Sequence, residues 1–305
     1  MQITRLASIL VPSHVFAASA AWALWKRDRI SPARQVSEAV FVLGWAVALN
    51  LVYPWFAVGY RARSAVLATA AVAVLLRVVL TMRESSGIKE LFSFSWFMWA
   101  EIAIGVVMVI LIPASALRMP AQDAVAVGSP FSEGVWYVVQ GGGMTLVNHH
   151  YPVLQQRYSL DLVRLNSAGT ERSGAQLSVE SYMAWGSKIV SPVSGVVVGV
   201  VDGLPDVGIG KVDAANPAGN NVTLGNADGV RLLLYHLRSG SIAVREGQRV
   251  EVGDVMAEVG NSGISSEPHL HLQAMKLGVD GVWRGIPLRI EGRILHRGQV
   301  IGSGE

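Results

Sequence analysis

Pro268-His269-Leu270-His271-Leu272-Gln273 is the stretch on which the reading of this chain turns. Two histidines separated by one apolar residue fit a β-strand. A period of two then sets both imidazoles on one face and turns Leu270 and Leu272 to the other. A bare His-x-His pair is weak evidence for a metal site, because single histidines are more often solvated or structural. The rest of the chain decides what the pair is for.

The 305 residues are 51% hydrophobic and only 15% charged, yet they include 32 glycines. With a mean hydropathy of +0.40 the chain is too apolar for an ordinary soluble domain. The glycines in turn point to turn-rich β structure. Together these imply a membrane part joined to a soluble part. The net charge of +3 is modest. No dense Lys/Arg run interleaved with aromatics occurs, which argues against nucleic acid as a partner. There is no cysteine, so any metal must be held by His, Asp or Glu.

Four apolar stretches occupy the N-terminal part, at residues 6–25, 36–60, 64–80 and 91–112. Each approaches or exceeds the ~17–25 residues that cross a bilayer as a helix. Trp22, Trp25, Trp45, Trp55, Trp96 and Trp99 lie in them, several near the ends, as interfacial anchors do. Arg77 sits near the end of the third stretch, within snorkelling reach of the interface. Residues 1–113 are therefore expected to form a transmembrane anchor of about four helices in contact with the lipid bilayer.

Basic residues set the orientation. Lys26, Arg27, Arg29 and Arg34 follow the first stretch, and Arg83 and Lys89 follow the third. Arg61 and Arg63 lie between the second and third, and Arg5 precedes the first. The positive-inside rule puts the first and third loops in the cytoplasm and both termini outside, in a cell (inner) membrane setting. A competing reading makes residues 1–20 a cleaved signal peptide ending at Ala18-Ser19-Ala20, which would reverse the C-terminal half. The charge bias opposes it. Glu38 and Glu101 are the only acids at or within the span limits, too few to line a transport path, so an anchor is favoured over a channel or carrier.

After Pro113 the character changes. Residues 114–133 read as a polar, small-residue linker, and residues 134–305 as an all-β domain. Short β-type runs at 135–139, 196–201, 221–224, 231–235, 248–252, 255–259 and 269–273 are separated by Gly, Pro, Asn and Asp. At ~170 residues this part can bury its own core. It holds His149, His150, His236, His269 and His271, and Asp161 lies among apolar neighbours. Two histidines and one carboxylate with an open fourth position make up a hydrolytic zinc centre.

Several blocks then become recognisable in order. Ser191-Pro192-Val193-Ser194-Gly195-Val196-Val197 resembles the "AP-x-x-G-x-V" strand of the lysostaphin/LytM-type zinc endopeptidases. Ala218-Gly219-Asn220-Asn221-Val222 is similar to their "GN-x-V", and Tyr235-His236-Leu237 to their "Y-x-HL". Residues 244–253 resemble "V-x-x-GQ-x-V-x-x-G", and Val259-Gly260-Asn261-Ser262-Gly263 resembles "VGNTG". The opening stretch, 268–273, closes the series as "PHLHFE".

The resemblance implies a LytM-type, barrel-sandwich fold of antiparallel β-strands. It also implies Zn2+ as cofactor, with Asp161, His271 and a histidine upstream of Asp161 as ligands. His236 and His269 would be the catalytic pair that moves protons and holds the oxyanion. Asn220 would sit close to the site, though a turn-forming asparagine explains it equally well. The chain departs from the family's His-x-x-x-Asp motif, since Arg157 stands four residues before Asp161. Asn148-x-His150 with Gln156-Arg157-x-x-x-Asp161 fits a longer form of that motif. His150 is preferred to His149 as the third ligand, because adjacent strand residues point to opposite faces.

The resulting expectation is a membrane-anchored zinc metalloendopeptidase. Its domain would face the periplasm or wall and cut cross-link or stem peptides of peptidoglycan, with room for a regulatory protein partner. The rival from another class is an inactive module of the same fold that binds murein or regulates another hydrolase. A biotinyl or lipoyl carrier is a weaker rival. Ala274-Met275-Lys276 mimics its acceptor tripeptide, but residues 259–273 intervene after the Gly253-Asp254 turn.

Overall fold

The computed structural model describes residues 31–302 except 86, 88, 90, 91, 175, 176 and 227. The chain divides into two compact units, Met1–Trp55 with Arg61–Ser115 and Phe56–Tyr60 with Ala116–Glu305. The expected span at 6–25 lies outside the described residues.

Among the described residues three helical segments are long and apolar enough to cross a membrane, at Pro32–Val52, Ala62–Arg83 and Trp96–Asp123. Helix α1 (Pro32–Val52) opens with Pro32 in its first turn and Ser31 Oγ accepting from the Arg34 amide at 3.3 Å. It ends eight residues before the expected limit of 60. Pro54 forces Tyr53 into an extended conformation (φ −69°, ψ 141°), which a helix cannot continue through. After the single turn α2 (Trp55–Val58) come α3 (Ala62–Glu84) and α4 (Trp96–Val106), the latter capped by Ser95. A π-helical turn at Val107–Leu111 joins α4 to α5 (Ile112–Leu117). Pro113 lies just past that turn and has no N–H to donate, and widening of the ladder is a common way to absorb such a loss.

Helix α1 packs on both α3 and α4. At the α1–α4 crossing a Cβ on Gly44 would lie 2.8 Å from the Gly105 Cα, so the backbones approach as only small residues permit. The two acids noted in the sequence meet one cation there. Arg34 bonds Glu38 at 2.8 Å and Glu101 at 3.0 Å, and Ser37 Oγ donates to Glu101 at 3.0 Å. They form a contact between helices α1 and α4.

The second unit is built on β-strands. They are β1 (Val125–Val127), β2 (Val135–Gln140), β3 (Leu160–Leu165), β4 (Lys188–Val190), β5 (Gly195–Val201), β6 (Asn220–Gly225) and β7 (Val230–Leu237). There follow β8 (Arg249–Val250), β9 (Val255–Glu258), β10 (Leu270–Leu277), β11 (Trp283–Ile286), β12 (Leu288–Ile290), β13 (Arg293–Ile294) and β14 (Val300–Ile301). The main sheet runs β14-β2-β3-β10-β7-β6-β5-β8, with β11 also on β10. All its pairings are antiparallel. Strands β4 and β9 form a second small sheet, and β1 pairs parallel with β12 in a third. Strand β1 lies inside the stretch read as linker.

Alternation along the strands explains the core. Leu270, Leu272 and Ala274 of β10 are buried with Leu160 and Leu162 of β3 and Leu232 and Leu234 of β7. That commits the opposite face of β3 and β10 to Asp161 and His271. A second consequence of packing is Glu171, buried at 7% exposure with one carboxylate oxygen lacking a hydrogen-bond partner. Its amide donates to the Phe56 carbonyl at 3.0 Å.

Candidate metal centre

Strand β10 lies between β3 and β7, and this order assembles the site. Its register sets His271 opposite Asp161 on one side and opposite Tyr235 on the other. His271 Nδ1 is 2.9 Å from Asp161 Oδ1, and the ring stacks on Tyr235 at 5.2 Å and 12°. The remaining ring nitrogen, Nε2, donates to Gln273 Oε1 at 2.9 Å. Gln273 stands two residues on along the same strand and hence on the same face. Bonding of one nitrogen fixes the ring and leaves the other with its lone pair toward Asp161.

The upstream histidines arrive on a turn. Gly142 adopts φ +127°, and a Cβ there would press on Val147 at 2.8 Å, so the chain turns where only glycine fits. Asn148, fully buried, then ties the turn to its surroundings. Its Nδ2 donates to the carbonyls of Gly142, Arg157 and Ser159, and its Oδ1 accepts from the His150 amide at 3.1 Å. His150 Nδ1 donates to Gln156 Oε1 at 3.2 Å, and Nε2 lies 3.0 Å from Asp161 Oδ2. Residues 149–151 form a turn, so strand alternation does not separate the two histidines, contrary to the expectation from sequence. The His149 and His150 rings lie 3.9 Å apart, and a ligand atom from each falls within 4.8 Å of an Asp161 oxygen. What distinguishes His150 is its tie to Gln156 and its closeness to Asp161.

His269 and His236 lie beside this group. His269 precedes β10. Its Nδ1 donates to the Glu267 carbonyl at 2.8 Å, and its Nε2 is 3.8 Å from Asp161 Oδ1. His236 Nδ1 donates to the Ser262 carbonyl at 2.8 Å, and the His236 and His269 rings are 4.9 Å apart. His236 has φ +63°, unusual for a residue with a side chain, at an irregularity in the β6–β7 register. Such strain concentrates at functional sites.

The electrostatics arise from burial and proximity. Burial alone would raise Asp161, but His150 and His271 outweigh it and hold the carboxyl well below its usual range. Burial would lower His150, and the Asp161 charge and the Gln156 bond raise it overall. Burial, with His269 and His271 adding to it, holds His236 well below the usual histidine range, so it is neutral at pH 7. His150, His271 and Asp161 offer two imidazole nitrogens and one carboxylate, each ring backed by an amide oxygen. That chemistry fits zinc.

The sequence model of Peptidase family M23 matches residues 175–282. Those residues are a Peptidase family M23 domain. The fold is metallopeptidase-like. Within the M23 match lie His236, His269, His271 and Gln273, whereas His150 and Asp161 precede it. No curated protein matches the chain. Among solved structures it is similar to a zinc containing peptidase from Vibrio cholerae, at 25% identity over 30% of this chain and 24% of that one, with a TM-score of 0.25. It is similar to the antimicrobial peptidase lysostaphin from Staphylococcus simulans, at 23% identity over 38% and 35%, with a TM-score of 0.24. The M23 metalloprotease pseudoalterin from the deep sea matches at 17% identity over 59% and 99%, with a TM-score of 0.35. The chain thus spans about a quarter to two fifths of the length of the first of these structural relatives.

One wall of the M23 domain's site is pinned rather than free. Asn220, fully buried at the start of β6, exchanges both bonds with Leu204 at 2.8 Å and donates to the Leu237 carbonyl at 3.1 Å. Asn261 Nδ2 donates to the Val207 carbonyl at 2.7 Å, and its amide donates to Asp206. Ser262 Oγ accepts from the Asn220 amide and donates to the Leu237 carbonyl, while the Ser262 carbonyl holds His236. Asn220 is therefore a clamp linked to His236 through Ser262. It is neither a turn former nor a metal donor.

Proposed function

We propose that this protein is a membrane-anchored zinc metalloendopeptidase that cleaves peptide bonds in the cross-links or stems of peptidoglycan. One observation carries the reading. His150 Nε2 and His271 Nδ1 both lie within 3.0 Å of the Asp161 carboxylate, and each ring's other nitrogen is held by a glutamine. His150, Asp161 and His271 would hold the zinc. When bound it would supply Lewis acidity toward the scissile carbonyl and lower the pKa of a water toward ~7.

The chain's own residues do the rest. Neutral His236, its Nδ1–H committed to Ser262, keeps Nε2 free to accept a proton. His269, oriented by Glu267, is 4.9 Å from it between ring centres; its Nε2 would donate a hydrogen bond to the developing oxyanion once both ring nitrogens carry a proton. Tyr235 stacks on His271 and keeps that ring from turning. The peptidoglycan substrate is inferred from the motif resemblance and from the M23 domain.

The anchor fits this reading. The chain crosses at Pro32–Val52, Ala62–Arg83 and Trp96–Asp123, so the loop holding Arg61 and the C-terminal domain fall on one side. Arg34, Arg83 and Lys89 fall on the other. Positive-inside logic makes the domain's side extracytoplasmic, where the wall is.

The test is zinc content and murein digestion by the detergent-solubilised chain beside His271→Ala and His236→Ala. The proposal expects the first variant to lose zinc and digestion, and the second to keep zinc and lose digestion. A wild type that binds murein but neither holds zinc nor cuts it would instead make the domain an inactive binding module.

A further inference from the structure

Arg157 stands four residues before Asp161, where the resembled motif has a histidine, and the proposed reaction gives it no task. It lies on the segment that joins two of the proposed ligands, His150 and Asp161. Its neighbour Gln156 holds His150 Nδ1, and its own Nε donates at 3.2 Å to the carbonyl of Tyr151, the residue after His150. The side chain therefore stands beside the site.

The rest of Arg157 is fixed as well. Its carbonyl accepts from Asn148 Nδ2 at 3.2 Å. Its backbone lies against β11, where the Gly285 amide donates to the Leu154 carbonyl at 2.9 Å and a Cβ on Gly285 would come within 3.0 Å of the Arg157 nitrogen. The guanidinium carbon sits 5.2 Å from the centre of the Tyr151 ring, and that ring meets the Tyr158 ring edge-on at 6.0 Å. The outer fork is different. Among the described residues no oxygen receives Nη1 or Nη2, and the side chain is only half-buried.

A solvated surface arginine keeps its rotamer freedom, whereas Arg157 has lost it on folding with its outer nitrogens left unbonded. A guanidinium held this way binds an anion with little further ordering. Its fork matches a carboxylate, which accepts two parallel N–H bonds.

We propose that Arg157 is a specificity residue that binds a free carboxylate of the peptide substrate close to the scissile bond. The inference rests on the peptidase reading given under the proposed function and narrows it. A bridge of glycines carries no such carboxylate, whereas the stem peptides of peptidoglycan do, so the stem is the segment the site selects. Arg157 acts on binding and takes no part in proton transfer.

The experiment uses the full chain in detergent, loaded with Zn2+, as wild type, Arg157→Gln and Arg157→Lys. The probes are a synthetic stem peptide with its free carboxylates and the same peptide with those groups as carboxamides. The wild type is expected to cut the carboxylate form with a kcat/KM about tenfold or more above that for the carboxamide form, expressed in KM, as loss of a charged hydrogen bond implies. Arg157→Gln brings the two peptides to equal kcat/KM. Arg157→Lys keeps the charge without the fork, and its ratio falls between. Zinc content stays that of the wild type in both. Equal cleavage of the two peptides by the wild type, or the wild-type ratio in either variant, would overturn the proposal. Loss of zinc from both variants would also overturn it, because Arg157 would then be a brace for the ligand turn. A zinc-loaded wild type that cuts neither peptide contradicts the peptidase reading itself, and the proposal falls with it.

Discussion

Asp161 and His271 face each other across the β3–β10 ladder, and His271 Nδ1 lies 2.9 Å from Asp161 Oδ1. Strand register alone makes this contact, 110 residues apart in sequence. Because the period is two, a slip of β10 by one residue would carry His271 into the core and turn Leu270 or Leu272 to the opposite face. The hydrophobic pattern of β10 thus specifies the site as strictly as it specifies the fold.

The glutamines behind the two imidazoles are therefore predicted to matter more than their chemistry suggests. Gln273→Leu frees His271 Nε2, and Gln156→Leu frees His150 Nδ1. Each variant is expected to bind zinc ~10–100-fold more weakly without losing its fold. Chelator competition and circular dichroism on the same sample check both halves.

His236 separates catalysis from stability. His236→Ala and His236→Gly should both keep zinc and lose turnover by ~10²–10⁴, as removal of a proton-transfer group does. Alanine keeps the positive-φ strain at this position, and glycine relieves it. His236→Gly is thus expected to melt above His236→Ala, by about 1 kcal/mol of stability. Equal melting points would show that the backbone there is not strained.

Glu171 makes stability depend on pH. Burial pushes its carboxyl well above the usual range, and the nearby Glu267 charge adds to this, while Arg172 opposes it. The folded state then binds a proton that the unfolded state releases above the ordinary Glu value of about 4.3. Stability is complete below that value and is lost as pH rises through the raised folded value. Glu171→Gln mimics the protonated form, so its melting point should exceed the wild type's by a margin that grows as pH rises above the ordinary Glu value. A margin independent of pH would contradict the assignment.

The helical unit is open to a packing test. A side chain at Gly44 would meet the backbone of Gly105, so Gly44→Leu must push α1 from α4. Overpacking of this kind costs about 1–3 kcal/mol. Thermal aggregation of the full chain in detergent should come earlier in Gly44→Leu than in Ala48→Leu.

Much of the fold is legible in sequence where local pattern and structure agree. The runs at 135–139, 196–201, 221–224 and 231–235 fall in strands, and the run at 255–259 does so up to Glu258, because alternating apolar residues and Gly/Asn/Asp turns are local signals. The run at 248–252 shrinks to Arg249–Val250, since turns on either side take its ends. The pairing of His149 with His150 is not legible. It depends on the Gly142 conformation and on Asn148 bonding residues up to 11 positions away. Asn148, Gln156, Gln273 and Asn220 are amides, which carry no periodicity and no charge, and their roles exist only once β3, β7 and β10 lie together. The end of α1 is legible in Pro54, but the run of hydrophobic residues beyond it masks the signal. Glu38 and Glu101 can be read as a helix contact, whereas Arg34 as their common partner needs the α1–α4 packing.

The central claim is that His150, Asp161 and His271 hold one zinc ion. The direct measurement is metal content by mass spectrometry of the purified full chain, wild type beside Asp161→Ala. One zinc per chain in the wild type and none in the variant, with both folded by circular dichroism, is the predicted result. Zinc at the same stoichiometry in both, or none in either, would contradict it.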